Sequence, residues 1–468
     1  MGHWPCSTFP SISGRSTQPD RNPEYAHSRP AAKSPDTHNF QPRAAMRKKP
    51  QGPASEEGPD AAALAKRTNM ETPSLLQRMA YASWMYTTQS IISGFVWFHE
   101  WKEWYSPPDG RPDIVKAYDC RPYLPVRIFF PADHDQSSSA LLPTLITIHG
   151  GGFCIGTARD ADEWNRDFAN KHKVLVISLS YSKAPASPFP GALHDLEAVY
   201  GAVLGDESLP IARAGATTGG ADGRARIAIL GWSAGGNLAL TLSQLASVRD
   251  SRHGAPAAAV TVYGALDLAT PPAAKVKSRV YKVKLPQPRG QWTDSLLRLA
   301  PAFDWSYVPY GHDLRDPLLS PAYAPEAALP PYVCVVACEL DMLAHESWRF
   351  AVRLANERRL GGAGRDLPDV LAWGNTSLTF AGRRAPSRRR GELDEEEGGD
   401  ERFGFDDEAD DGRGGVKWML VPDVLHGFDC KTMRDMMGDE ESIKDAEMKT
   451  IHEIERIGRW LREKAWKA

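Results

Sequence analysis

The stretch Ile227 to Asn237, Ile-Ala-Ile-Leu-Gly-Trp-Ser-Ala-Gly-Gly-Asn, constrains this chain more than any other. A β-branched and aliphatic run ends abruptly in Gly-x-Ser-x-Gly, and an Ala/Leu-rich run of helical spacing follows as far as Leu245. Strand, tight turn and helix in that order make a nucleophile elbow, in which Gly231 and Gly235 stand where a Cβ would strike the neighbouring strand or helix. Ser233 is then expected at the carboxyl end of a sheet and the amino end of a helix, where backbone N–H groups favour a developing negative charge.

A second stretch points to the same chemistry. Pro143 to Ile148 has the pattern of a buried strand and runs into His149-Gly150-Gly151-Gly152-Phe153. Three successive glycines are costly in chain entropy, so such a loop is expected where backbone N–H groups must approach a guest closely, here an oxyanion. Together, HGGG and GxSAGG resemble the hormone-sensitive-lipase branch of the α/β-hydrolases, over roughly residues 114–467 apart from two insertions. The resemblance implies an α/β fold with a mostly parallel central sheet flanked by helices, and a helical cap.

Later strands carry the partners a serine nucleophile needs. The run Tyr332 to Ala337 stops at Cys338-Glu339-Leu340-Asp341, and the resemblance selects Asp341 rather than Glu339 as the acid, although a helix N-cap role would also suit an Asp there. Val416 to Val421 is the last strand pattern, followed by Val424-Leu425-His426-Gly427-Phe428, which matches the family's HGF signature. Ser233, Asp341 and His426 thus fall in the chain order Ser, acid, His. The resemblance assigns the oxyanion hole to the N–H groups of Gly151, Gly152 and Ala234, with His149, Gly150, Gly231 and Gly235 supporting the motifs. It implies neither metal nor organic cofactor. Two departures stand out: Trp232 occupies a position where the family carries Asp, and in Tyr181-Ser182-Lys183-Ala184-Pro185 the usual Arg-Leu is replaced by Ser182 and Lys183.

The remainder is read from composition. Residues 1–70 are rich in Pro, Ser, Arg, Gln and Asn and poor in large aliphatics, which predicts disorder. Residues 71–113 form an expected N-terminal cap segment. Within it, Met79 to Phe98 has no charged residue and is long enough to span a bilayer, but its Ser, Thr and Gln content favours a cap helix over a membrane contact. The hydrolase domain is expected over 114–468, with a cap insertion at about 270–321 whose aromatics Trp292, Phe303, Trp305, Tyr307 and Tyr310 suit an acyl pocket or the cap's own core.

Residues 367–414 hold a basic knot and then an acidic tract from Glu392 through Asp411, and such self-repelling blocks predict a disordered insertion. The six cysteines lack metal-ligand spacing and are read as free thiols in a reducing compartment. Cys334 and Cys338 lie about 13 Å apart along one strand, beyond the reach of a disulfide. No apolar signal-peptide core follows Met1, so a cytoplasmic location is expected. A formal net charge of −3 gives no electrostatic reason for nucleic-acid binding.

The expected activity is hydrolysis of a small carboxylic ester through an acyl-enzyme. Two alternatives remain: a ligand-binding homologue, as in the gibberellin receptors that lose the catalytic histidine, or amide cleavage, deacetylation or acyl transfer by the same triad.

Overall fold

The computed structural model describes residues 67–135, 137–215, 225–277, 295–359, 404–409, 412, 414–422, 424–435 and 440–467. The expected disorder of residues 1–66, the stretch 278–294 with Trp292, and the charged insertion as far as residue 403 lie outside them.

Among the described residues nine strands make one sheet: β1 (Ile114–Tyr118), β2 (Arg121–Phe129), β3 (Thr144–Ile148), β4 (Leu175–Leu179), β5 (Ile227–Trp232), β6 (Ala258–Val262), β7 (Tyr332–Cys338), β8 (Gly404–Glu408) and β9 (Gly415–Val421), in the spatial order β1-β2-β4-β3-β5-β6-β7-β9-β8. The pairs from β4 to β9 are all parallel, and antiparallel pairing occurs only at the two edges. Every residue of β3, β4, β5, β6, β7 and β9 is buried. Parallel strands covered on both faces read as continuous Val/Ile/Leu runs for this reason.

Helices flank the sheet and build the cap: α1 (Leu75–Tyr105), α2 (Asp162–His172), α3 (Gly191–Gly205), α4 (Ala234–Gln244), α5 (Ala246–Arg249), α6 (Pro272–Lys277), α7 (Ser295–Tyr307), α8 (Ala344–Arg359), α9 (Lys431–Asp435) and α10 (Glu440–Trp460). Strand β3 pairs with β4 on one side and β5 on the other, so the winding of the chain reverses there. A crevice opens beyond the carboxyl ends of strands at such a switch point. The glycine loop leaves β3 and Ser233 leaves β5, so both enter that crevice.

Two expectations drawn from composition need correction. Residues 404–408, assigned to the disordered insertion, are edge strand β8, hydrogen-bonded to β9. Phe405 packs on the core, while Glu408 pairs with Lys464 at 2.7 Å and Asp406 lies 3.8 Å from Lys417. Distant lysines thus offset the block charge that predicted solvation. At the other end, ordered chain is present by residue 67 rather than 71. Arg67 N–H donates to the Ala269 carbonyl at 2.9 Å and its guanidinium reaches Asp304 at 3.4 Å, tying this strap to the cap.

Helix α1 begins with a capping box made by Ser74 and Gln77, and it lies over the crevice on a narrow face. Met85 is its buried anchor, and Ile92 lines the cavity beneath. Much of the rest is exposed, including Phe95, Trp97, Trp101 and Trp104. Among the described residues no helix is long and apolar enough to cross a membrane. The main polar anchor is Gln89, whose amide donates to the carbonyls of Cys154 at 2.8 Å and Ala184 at 2.7 Å. Replacing Gln89 with Ala strips both carbonyls of their donor, and an unsatisfied buried group costs on the order of 1–3 kcal/mol. Gln89→Ala is therefore expected to lower the denaturation midpoint and speed proteolysis within α1, with the sheet's own protection unchanged.

Candidate active site

Ser233 occupies the turn between β5 and α4 with φ 53° and ψ −117°, a left-handed backbone that a residue with a Cβ adopts only under constraint. The constraint is close approach of backbone to backbone. A Cβ on Gly231 would lie 2.0 Å from the carbonyl oxygen of Gly235, and one on Gly235 would lie 2.1 Å from that of Ile148. Both positions exclude a side chain, and their closeness forces the serine outward.

His426 lies in the turn after β9. Backbone bonds from Glu339 N–H to Val421 at 2.9 Å and from Leu340 N–H to Val424 at 3.1 Å fasten this segment to the end of β7. The three distant side chains converge there. His426 Nε2 is 2.9 Å from Ser233 Oγ, and His426 Nδ1 is 2.7 Å from Asp341 Oδ2. Asp341 is buried, and its other oxygen accepts the Leu343 N–H at 3.0 Å, so one carboxylate both caps the local turn and faces the imidazole. Glu339, the other acid weighed from the sequence, is buried nearby without being the residue bonded to His426 in this pair.

The glycine loop lies against the elbow. A Cβ on Gly150 would sit 3.2 Å from that of Ser233. Gly151 (φ 109°) and Gly152 (φ 59°) take left-handed backbones, and Phe303 of α7 closes over Gly152 so tightly that a Cβ there would be 2.4 Å from its ring. Among the described residues the N–H groups of Gly151, Gly152 and Ala234 donate to no backbone carbonyl. His149 is buried, its Nδ1 2.7 Å from the Gly150 carbonyl oxygen and its ring stacked on Tyr181 at 4.4 Å. Burial first, then the charge of Lys183, holds its pKa well below the usual imidazole range.

A cavity of about 490 Å³ opens over Ser233 and His426. Leu268, Leu299, Phe303, Tyr307, Trp232 and Met433 are among the residues that line it. Of the cap aromatics, Phe303 and Tyr307 therefore face the cavity. Trp305 instead packs on Tyr81 at 6.0 Å, and Tyr310 is exposed beneath Arg78.

The residues around Trp232 went unnoticed in the sequence. Its indole Nε1 donates to Asp429 Oδ2 at 2.7 Å, and the Tyr263 hydroxyl donates to the other oxygen of the same carboxylate. Tyr263 in turn packs its ring 4.6 Å from that of His426. Burial raises the pKa of Asp429. The available signal was the Asp three residues beyond His426, but nothing local names its partners.

A family model described as alpha/beta hydrolase fold matches residues 145–360. The chain is 31% identical over 232 residues to an arylesterase of Saccharolobus solfataricus, covering 49% of this chain and 66% of that protein. It is 29% identical over 196 residues to an acetyl-hydrolase of Streptomyces hygroscopicus, covering 42% and 56%. The chain thus spans between half and two thirds of these relatives' length. The solved structure of a Pyrobaculum calidifontis esterase superposes with a TM-score of 0.51 at 20% identity, over 84% of this chain and 100% of that one, which shows a shared fold.

The elbow geometry yields a stability test. In Gly235→Ala the new methyl meets the Ile148 carbonyl at 2.1 Å, a rigid backbone atom rather than a yielding side chain. Overpacking of this kind costs roughly 1–3 kcal/mol or more, so the variant is expected to melt several degrees below wild type in calorimetry.

Proposed function

We propose that this chain, an α/β-hydrolase in fold and family, is a serine carboxylic-ester hydrolase that works through an acyl-enzyme. The observation that carries this reading is the unbroken relay from Ser233 Oγ through the imidazole of His426 to Asp341, at 2.9 and 2.7 Å, beside a glycine loop in which a Cβ on Gly150 would lie 3.2 Å from that of Ser233.

The chemistry follows from acid strengths. A serine hydroxyl is too weak an acid to attack an ester at neutral pH unless a base takes its proton as the bond forms. His426 Nε2 is that base. Asp341 accepts from Nδ1–H, which fixes the tautomer and stabilises the imidazolium. Attack turns the ester carbonyl oxygen into an oxyanion, which the N–H groups of Gly151, Gly152 and Ala234 receive. Each such donor is worth roughly 3 kcal/mol of barrier in comparable sites. Collapse expels the alcohol, which takes the proton from His426. Water then attacks the acyl-enzyme with His426 again as base, and the carboxylic acid leaves.

The cavity supports an uncharged acyl or aryl ester of short to medium length. Its walls are mostly apolar and aromatic, and its size is that of a small-molecule pocket. The names arylesterase and acetyl-hydrolase borne by the two relatives agree with a small acyl group.

Ser233→Ala is expected to lower kcat on p-nitrophenyl esters by roughly 10⁴- to 10⁶-fold with an unchanged circular-dichroism spectrum, and to abolish labelling by a fluorophosphonate. Retained turnover would remove the nucleophile. Asp341→Asn should keep the fold and cost about 10⁴-fold by favouring the wrong tautomer. Across p-nitrophenyl acetate, butyrate, octanoate and palmitate, kcat/KM is expected to peak before palmitate; a maximum at palmitate would refute the short-acyl assignment.

A further inference from the structure

We propose that Lys183 is a positioning residue for the oxyanion-binding loop, donating a hydrogen bond to Nε2 of His149 and so fixing the imidazole that holds the head of the glycine loop against the nucleophile. The inference rests on the serine-hydrolase reading and assigns a role within that site.

Proton counting leads to it. A neutral imidazole has one N–H. His149 Nδ1 lies 2.7 Å from the Gly150 carbonyl, which can only accept, so the proton is on Nδ1 and Nε2 must find a donor. Lys183 Nζ is 3.0 Å from Nε2. The same nitrogen donates to the Tyr181 carbonyl and lies 3.7 Å from the centroid of the Tyr181 ring, whose other contact is the stacked His149 imidazole. The Tyr181 hydroxyl completes the clamp by sharing its one proton between the carbonyls of His149 at 3.2 Å and Gly150 at 3.3 Å.

Little slack remains for the loop to absorb a displaced imidazole. A Cβ on Gly156 would already stand 3.1 Å from His149 Nδ1 and 2.9 Å from the Gly150 oxygen. Rotation of His149 breaks its bond to the Gly150 carbonyl, and Gly150 stands where a Cβ would lie 3.2 Å from that of Ser233. The leucine found at this position in the family pattern offers no donor, so here the clamp depends on the lysine.

The same lysine makes the clamp sensitive to pH. Burial brings Lys183 down to about 7, against the opposing pull of Asp160 from the turn Ala158–Ala161, Asp195 from α3 and Cys154 from the glycine loop. Asp195 already pairs with Arg121 at 2.5 Å and accepts the Ser182 N–H at 3.0 Å, and Asp160 accepts the Thr157 N–H at 3.0 Å. Cys154 is pushed up to about 12 by burial and stays a thiol. Ammonium and amine both retain an N–H for His149. Only the ammonium adds a positive charge behind a loop that must receive an oxyanion. That charge is present below a pH of about 7 and lost above it.

The test compares wild type, Lys183→Met and Lys183→Arg on p-nitrophenyl butyrate from pH 5 to 9, with fluorophosphonate labelling of Ser233 as a separate check on the nucleophile. Misplacement on the order of 1 Å costs about 10²-fold in rate. Lys183→Met is therefore expected to lose roughly 10- to 100-fold in kcat with KM within about twofold, and Lys183→Arg to recover most of it. The ratio of wild-type kcat to that of Lys183→Arg, whose charge does not titrate, should decline on passing upward through neutral pH, since the rise expected in both as His426 loses its proton cancels in the ratio. If Lys183→Met does not fold, the wild-type and Lys183→Arg profiles decide alone. Superimposable pH profiles, or an undiminished kcat in Lys183→Met, with Ser233 still labelled, overturn this role and leave the hydrolase intact. Absence of labelling and turnover in wild type overturns the hydrolase reading and this inference with it.

Discussion

The backbone of Gly235 lies so close to the carbonyl of Ile148 that no side chain fits between them, and the geometry of the crevice depends on that contact. It presses the start of α4 onto the end of β3 and leaves the serine backbone in a conformation that only surrounding structure can maintain. The same contact brings the glycine loop to the elbow, because the loop begins one residue beyond Ile148. Ser233 and the glycine loop are thus registered by main-chain packing rather than by flexible side chains. A site that must hold reacting atoms to fractions of an ångström benefits from such a frame.

Side chains complete the frame from strands far along the chain. Strand β7 delivers Asp341 and β9 delivers His426, and these two neighbours are parallel and fully in register from Tyr332 to Cys338. Their ends therefore stop at a common level. The imidazole has one partner on each nitrogen, so its orientation is determined from both sides. Above them the cap contributes aromatic rings at the glycine loop. Phe303 closes over Gly152, and Phe153 stacks on Tyr307 with ring centres 3.7 Å apart. Water exclusion there strengthens any hydrogen bond to a developing oxyanion.

What the sequence made legible follows a physical division. Ser233, the loop from His149 to Gly152, Asp341 and His426 each sit where a strand ends and a backbone rule applies, so a local pattern names them. Gln89, Lys183 and Asp429 have no such pattern. Gln89 looked like dilution of an apolar run, yet its two carbonyl partners lie 65 and 95 residues away. The strand at 404–408 was hidden for a related reason: a tract's net charge says nothing of the lysines that fold back to meet it. Composition describes a segment in water, whereas Lys417 and Lys464 provide another environment.

Trp232 shows how a departure from a family pattern is accommodated by chemistry elsewhere. An indole in place of a carboxylate adds a bulky ring and one N–H donor at the base of the crevice, and a buried donor needs an acceptor. Asp429 is that acceptor, and it also takes the Tyr263 hydroxyl. Two donors on one carboxylate offset part of the penalty for burying it, which is reflected in a pKa that burial raises and both hydrogen bonds pull back down. Glu453 lies near enough that the charge of Asp429 adds to burial in raising its pKa well above the ordinary carboxyl range. The consequence reaches the imidazole. Tyr263 is held by Asp429 and packs on His426, so the ring proposed to take the serine proton is oriented by hydrogen bonds at its two nitrogens and supported by an aromatic that the Trp232 network keeps in place.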